Sequence, residues 1–234
     1  GFYFMFFWDP TMIILIPAVL ISAYAQMKVS STFQRYSRVP SHRNMTGADV
    51  ARYILNQNGL HDVPIERISG QLSDHYDPRS RVVRLSAEVY GSTSLAALGV
   101  AAHEVGHAIQ HDTGYLPLYI RNTVIPVTQF GSYLSMPLFF LGLIMSSAPL
   151  VKVGILLFAA IVFFQIVTLP VEFNASSRAL ATLGSEGFLD SVELKGTGKV
   201  LRAAALTYVA AALMAVLQLV RLIVISGFLG GRDD

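Results

Sequence analysis

Residues 103 to 107 read His103-Glu104-Val105-Gly106-His107. On an α-helix this spacing sets two imidazoles one turn apart, offset by about 40°, so that both reach one metal ion. Glu104, beside the first histidine, then faces water at that ion. Two nitrogen ligands and a neighbouring carboxylate that is free to take a proton are what a zinc hydrolase requires. The flanks supply the helix: Ser92-Thr93-Ser94 offers a cap, Leu95 to Ala102 is a run of small and apolar helix formers, and Ala108-Ile109-Gln110 continues past the motif.

A catalytic zinc site takes three protein ligands and leaves one position open. The chain has no cysteine, which excludes thiolate sites, disulfides and thiol catalysis and restricts the ligands to nitrogen and oxygen. His111 continues the same helical face, yet it stands about 12 Å along the axis from His103, too far to share one ion. The metzincin pattern fails as well, with Gln110 at its glycine position and Thr113 at its third histidine. Glu172 is the expected third ligand, placed just after an apolar span that closes at Leu169-Pro170-Val171.

Of the 234 residues, 53% are hydrophobic and only 14% charged, against about a quarter charged in soluble domains. Uncharged stretches of membrane-crossing length run from Pro10 to Met27, Asn122 to Val151, Val153 to Val171 and Ala203 to Val220, the last resuming at Leu222 after Arg221. The fold class expected is an α-helical integral membrane protein of about four transmembrane helices. A small α+β cytoplasmic lobe carries the metal helix. The expected divisions are an N-terminal anchor (1–27), the lobe (28–121), a transmembrane hairpin (122–171), a second cytoplasmic segment with the third ligand (172–202) and a fourth transmembrane helix (203–231). Within the hairpin, the part holding Pro126 and Gln129 reads as an interfacial segment. The first span reads as an anchor and not a signal peptide, because no basic residue precedes it, and Gly1 to Trp8 resembles an interfacial aromatic belt.

Ten of the 17 Lys and Arg lie between Lys28 and Arg121 and four between Glu172 and Arg202. The positive-inside rule places both loops in the cytoplasm and both termini outside. The 14 uncharged residues from Val89 to Ala102 are too few to carry the motif to mid-membrane, so the active site is expected at the cytoplasmic interface. The basic residues flank spans and lack a stacking-aromatic pattern, which points to anionic lipid and away from nucleic acid.

Within the lobe, Thr46 and Asp49 form an Asp variant of the capping box, and Asn58-Gly59 ends that helix. Ile65 to Leu72 and Arg81 to Leu85 read as a hairpin around Asp77-Pro78-Arg79-Ser80. Arg81 to Leu85 is the candidate edge for a substrate added as a strand. Asp74, His75 and Asp77 read as turn residues. Gly184 to Gly198 reads as a linker. Arg221, a charge inside a span, calls for a partner.

The order of these features resembles the YugP-type bacterial zinc membrane metallopeptidases. It comprises one N-terminal span, Ser-Asp-His-Tyr-Asp-Pro, Ala-Ala-His-Glu-Val-Gly-His-Ala-Ile-Gln, and further spans followed by Pro-Val-Glu-Phe-Asn-Ala-Ser. The likeness covers nearly the whole chain, and is more distant to the HtpX-like membrane proteases and CAAX prenyl proteases. It implies a gluzincin-like peptidase of the bacterial plasma membrane. Zn2+ would be held by His103, His107 and Glu172, and protein or peptide substrates cleaved near the bilayer. Those relatives place Asp or Asn four residues after the glutamate; here that position is Ser176, so a hydroxyl or Asn174 is expected behind the zinc histidines. His111, Arg178 and Tyr208 are candidates to stabilise the oxyanion. A membrane-protein partner or a second copy of the chain is compatible with this reading. The rival is a membrane scaffold or assembly factor with a structural or silent zinc site. Glu104 speaks against it, because a structural site has no use for a carboxylate that is not a ligand.

Overall fold

The computed structural model describes residues 9–230, with side chains to residue 227. The aromatic stretch Gly1 to Trp8 and the residues from 231 onward, including Arg232, lie outside the described residues. The protein is mostly helical, and four of its helices are long and apolar enough to cross a bilayer: Pro10–Tyr36, Leu116–Ile144, Ala148–Ser185 and Ser191–Gly227. The chain is an α-helical membrane protein with a small α+β lobe. It divides into two compact units, one of residues 9–24, 120–169 and 207–230, the other of residues 25–119 and 170–206.

In the first unit, Asp9 caps a 3-10 turn, Pro10–Leu15, by accepting from the Thr11 N–H at 2.7 Å. The turn leads into helix α1, Ile16–Tyr36. The stretch expected to begin with an interfacial segment forms one continuous helix, Leu116–Ile144, with Pro126 and Pro137 inside it. Apolar spans tolerate internal proline because neighbouring side chains and local adjustment satisfy the freed carbonyls. After a tight turn at Met145 to Ser147 the next helix runs from Ala148 to Ser185, and the Ser135 hydroxyl ties the pair by donating to the Gly154 carbonyl at 2.8 Å. Pro170 does not end that helix. At 1.5 Å per residue its 38 residues extend about 57 Å, well beyond a hydrocarbon core of about 30 Å.

Arg221 finds its partner at the start of the described chain. Its Nη2 donates to Asp9 Oδ2 at 2.8 Å, its Nε to Thr11 Oγ1 at 3.0 Å and its Nη1 to Gln218 Oε1 at 3.4 Å. A carboxylate and a hydroxyl thus answer a guanidinium that would otherwise be costly within an apolar span.

The second unit holds the lobe. Helix α2, Gly47–Gln57, carries the expected capping box of Thr46 and Asp49, and Gly59 (φ 72°) follows its end. The sheet differs from expectation. Its strands are β1 (Ile65–Ile68), β2 (His75–Asp77) and β3 (Val82–Ser86), in the order β1-β3-β2, with β1 parallel and β2 antiparallel to β3. The hairpin arms are therefore β2 and β3, and Arg81 to Leu85 contributes the central strand in place of an edge. The chain leaves β1 through Gly70 and Leu72, both at positive φ, and crosses to the far side of β3. There Asp74 Oδ1 accepts the Ser86 N–H at 2.7 Å. Asp77 accepts from Ser80 and Arg84, so these acidic residues have structural partners. Val82, Val83, Leu85 and Ser86 are all buried, as befits a strand paired on both sides.

A single turn, α3 (Ala87–Tyr90), precedes helix α4, Leu95–Thr113, whose cap Ser94 accepts the Ala97 N–H at 3.1 Å. Val50, Ile54 and Leu55 of α2 and Val83 and Leu85 of β3 share one apolar core with Leu98, Ala101 and Val105 of α4. The spans Leu116–Ile144, Ala148–Ser185 and Ser191–Gly230 are α5, α6 and α7. The expected linker at Gly184 to Gly198 is also revised: only residues 186–190 turn, and Gly196 and Gly198 lie inside α7. Gly196 is there for proximity, since a Cβ would stand 2.6 Å from the Tyr36 ring.

Arg221 is buried and Asp9 partly exposed, so removing the aspartate strands the more costly charge. Asp9→Ala should destabilise the first unit more than Arg221→Ala, by roughly 1–3 kcal/mol, whereas Asp9→Leu with Arg221→Met should recover most of the loss. Chemical unfolding in detergent measures all three variants.

Candidate metal centre

Helix α4 is apolar and small on the face that carries the motif, which lets another helix approach it closely. A Cβ on Gly106 would lie 2.8 Å from the Ala175 carbonyl oxygen of α6. This near-contact aligns the two helices around one point. His103 and His107 project from one side of it, and Glu172 and Ser176 from the other.

His103 Nε2 stands 2.8 Å from Glu172 Oε2, and His107 Nε2 stands 3.3 Å from the same oxygen. The two imidazole rings meet edge to face with centroids 4.8 Å apart. Glu172 is only 5% exposed and His107 is buried. The opposite ring nitrogens are held from behind. His103 Nδ1 is 2.9 Å from Ser176 Oγ, and His107 Nδ1 is 2.9 Å from Gln110 Oε1. Gln110 is fully buried and its amide nitrogen donates to the Val171 carbonyl at 2.9 Å and to Asn174 Oδ1 at 3.0 Å. That fixes its oxygen toward His107, makes Nδ1 the donor and leaves Nε2 as a lone pair aimed at Glu172. Two outward-tethered imidazoles converging on one carboxylate form a donor set that fits a metal ion. Their ligand atoms lie within 4.8 Å of one another.

Glu104 is beside this trio and outside it. Burial is the largest influence on its carboxyl and pushes its pKa up to about 8, partly offset by His103 and by the Tyr76 backbone N–H, which donates to it. That N–H belongs to β2, the edge strand, so the free edge of the sheet faces the carboxylate.

The candidates for oxyanion stabilisation are distributed differently. His111 Nδ1 is 2.8 Å from the Tyr76 hydroxyl, and its carbonyl accepts from Tyr119 at 2.7 Å. Arg178 donates from Nε to Asn174 Oδ1 at 2.7 Å and lies over the Tyr115 ring, so it braces the residues behind the histidines. Tyr208, on α7, belongs to the first unit. Reading the sequence missed the roles of Gln110, Gly106 and Tyr76. Gln110, one turn beyond His107 on the same face, had the spacing to be found.

A second histidine and acid group, His42, Asp190 and Glu193, also comes together. Asp190 and Glu193 exchange reciprocal backbone bonds at the start of α7, and Glu193 Oε2 accepts the His42 N–H at 3.0 Å.

Residues 11–227 match the model of a family described as "putative neutral zinc metallopeptidase". The chain belongs to this family. It is also 52% identical over 219 residues to the "putative membrane protease YugP" of Bacillus subtilis, covering 94% of this chain and 96% of that protein. No solved structure matches the chain. Zinc is the metal that family membership brings to the chain, and the half-buried His103 and the buried His107 and Glu172 offer it nitrogen and oxygen donors.

If Gln110 and Ser176 hold the imidazoles in place, Gln110→Leu and Ser176→Ala should each weaken zinc binding about 10- to 100-fold while the helix content stays unchanged. Competition titration against a chromogenic chelator reads the affinity. Undiminished affinity in both variants would assign the orientation of the rings to packing alone.

Proposed function

We propose that the chain is a zinc endopeptidase that cleaves membrane or membrane-proximal polypeptides at the cytoplasmic face of a bacterial plasma membrane. One observation carries this reading: a carboxylate, Glu104, stands next to three convergent donor groups without being one of them. His103, His107 and Glu172 would hold the zinc. Bound there, zinc supplies Lewis acidity toward the scissile carbonyl and toward water. Glu104 takes the proton of the attacking water at a carboxylate oxygen and delivers it to the departing amine nitrogen. Ser176 and Gln110 keep the imidazole Nε2 atoms directed inward. The polypeptide adds along the free edge of β2, where main-chain hydrogen bonds fix its register beside Glu104. His111, on the same face of α4 one turn beyond His107, and the hydroxyl of Tyr76 bonded to it are the groups best situated to donate toward a developing oxyanion.

Glu104→Gln retains shape and hydrogen bonding but accepts no proton. It should bind one zinc per chain as the native protein does and lose about 10²- to 10⁴-fold in peptide cleavage. Near-native cleavage by this variant would reject the mechanism. Tightly held zinc without any cleavage by the native chain would favour the scaffold.

The cytoplasmic assignment rests on charge, with 14 of 17 Lys and Arg in the two loops that carry the site. Because the chain has no native cysteine, single introduced thiols report topology directly. Ser185→Cys, exposed at the end of α6, should resist an impermeant maleimide in intact cells, whereas Ala148→Cys, exposed at its start, should react. The opposite pattern would move the proposed proteolysis to the outer face.

A further inference from the structure

Helix α5 packs on α6 along one side. A Cβ on Gly131 would stand 2.9 Å from the Leu157 carbonyl oxygen, the Ser135 hydroxyl donates to the Gly154 carbonyl, and Phe139 beyond them has no exposed surface. At about 100° per residue, the opposite side of the helix carries Asn122, Pro126, Gln129, Tyr133 and Pro137. Asn122 is half-buried and the other four are exposed, Tyr133 to 79%.

A surface that ends in lipid is expected to be apolar, and the neighbouring helix obeys this. Between Val153 and Leu169 the exposed residues of α6 are Val153, Leu156, Phe163 and Ile166. The outer side of α5 differs. The Gln129 amide and the Tyr133 hydroxyl make no hydrogen bond among the described residues. They lie about 12 and 18 Å along the axis from Arg121, within reach of a hydrocarbon core about 30 Å thick, whose lipid tails offer no partner. Pro126 and Pro137 have no N–H, so the carbonyls of Asn122 and Tyr133 lose their helical donors on the same side. An amide, a hydroxyl and two carbonyls thus form one polar stripe on an otherwise apolar span.

We propose that this stripe is the contact between two copies of the chain, α5 against α5 about a two-fold axis along the bilayer normal. Hydrogen-bond complementarity names the occupant. A carboxamide and a phenol each donate and accept, so the stripe satisfies a copy of itself. Both copies insert with the same orientation, which sets Gln129 of one at the depth of Gln129 of the other and one turn from its Tyr133. A helix of unrelated sequence would need matching groups at those same two depths. Polar side chains hold helices together in lipid, where apolar surface gives no driving force. The same patch serves both copies, so the contact closes at two. The inference is independent of what the metal centre does.

Because the chain has no native cysteine, Phe130→Cys puts a single thiol on the stripe beside Gln129, and Leu156→Cys puts one on the exposed side of α6 as a control. Oxidation of the full chain in native membranes should link Phe130→Cys into a species of twice the chain mass and leave Leu156→Cys a single chain. In phospholipid vesicles, energy transfer between fluorescently labelled copies reads the dissociation constant. Gln129→Leu with Tyr133→Phe should raise it about 10-fold or more, with helix content and zinc content unchanged. Tyr133→Phe alone removes one oxygen and should give a smaller rise, which keeps the test open if the double variant inserts poorly. Failure of Phe130→Cys to link, equal linking of Leu156→Cys, or a dissociation constant that the variants leave unchanged would overturn the self-contact. A link from Phe130→Cys to a different membrane protein would overturn it in favour of a partner helix.

Discussion

Everything proposed for the site depends on how closely α4 and α6 pass one another at Gly106 and Ala175. Helices usually pack with axes 8–10 Å apart, a distance set by the side chains between them. Here one residue has no side chain, and a Cβ on it would stand only 2.8 Å from a carbonyl oxygen of the other helix. The crossing point fixes a register. His103, three residues before it on α4, meets Ser176, one residue after it on α6, and both histidines meet Glu172 three residues before. Gln110 reaches Val171 and Asn174 from the far side. Side chains some 65 residues apart in sequence are brought into hydrogen-bond range by one backbone contact, which leaves little freedom in how the imidazoles point.

What could be read beforehand was whatever the sequence encodes locally. The His-Glu-x-x-His spacing, the Ser94 cap, the Thr46 and Asp49 capping box and the four apolar spans each depend on residues within a few positions of one another. Glu172 could be named by its place at the end of a span, although its helix continues to Ser185. The errors share a cause in partners distant in sequence. Pairing β1 in parallel with β3 inserts β3 between β1 and β2, which no alternation of side chains in Ile65 to Leu72 announces. The stretch holding Pro126 and Gln129, read as an interfacial segment, is helical and continuous with the span that follows. Gly196 reads as a linker residue until Tyr36 is seen against it.

The revised sheet order also changes which strand can receive a polypeptide. With β3 enclosed on both sides, the outer edge near Glu104 is that of β2, only three residues long, whose Tyr76 N–H is bonded to Glu104. So short an edge fixes the depth and direction of a bound chain but contacts few side chains. Discrimination among sequences then falls to whatever surrounds the strand.

The groups behind the two histidines have a bearing on the metal itself. In many zinc sites an anionic carboxylate stands there and shares negative charge with the imidazole. Here the supports are an amide and a hydroxyl, both neutral. In the proposed centre an ion bound by two imidazoles and one carboxylate keeps a net positive charge, and among the described residues the groups bonded behind the rings are neutral. Such an ion is a sharper electrophile and a more loosely kept guest. Reactivity and exchange with the surrounding zinc pool then rise together, which would make the supply of free metal in its compartment a throttle on the proposed activity.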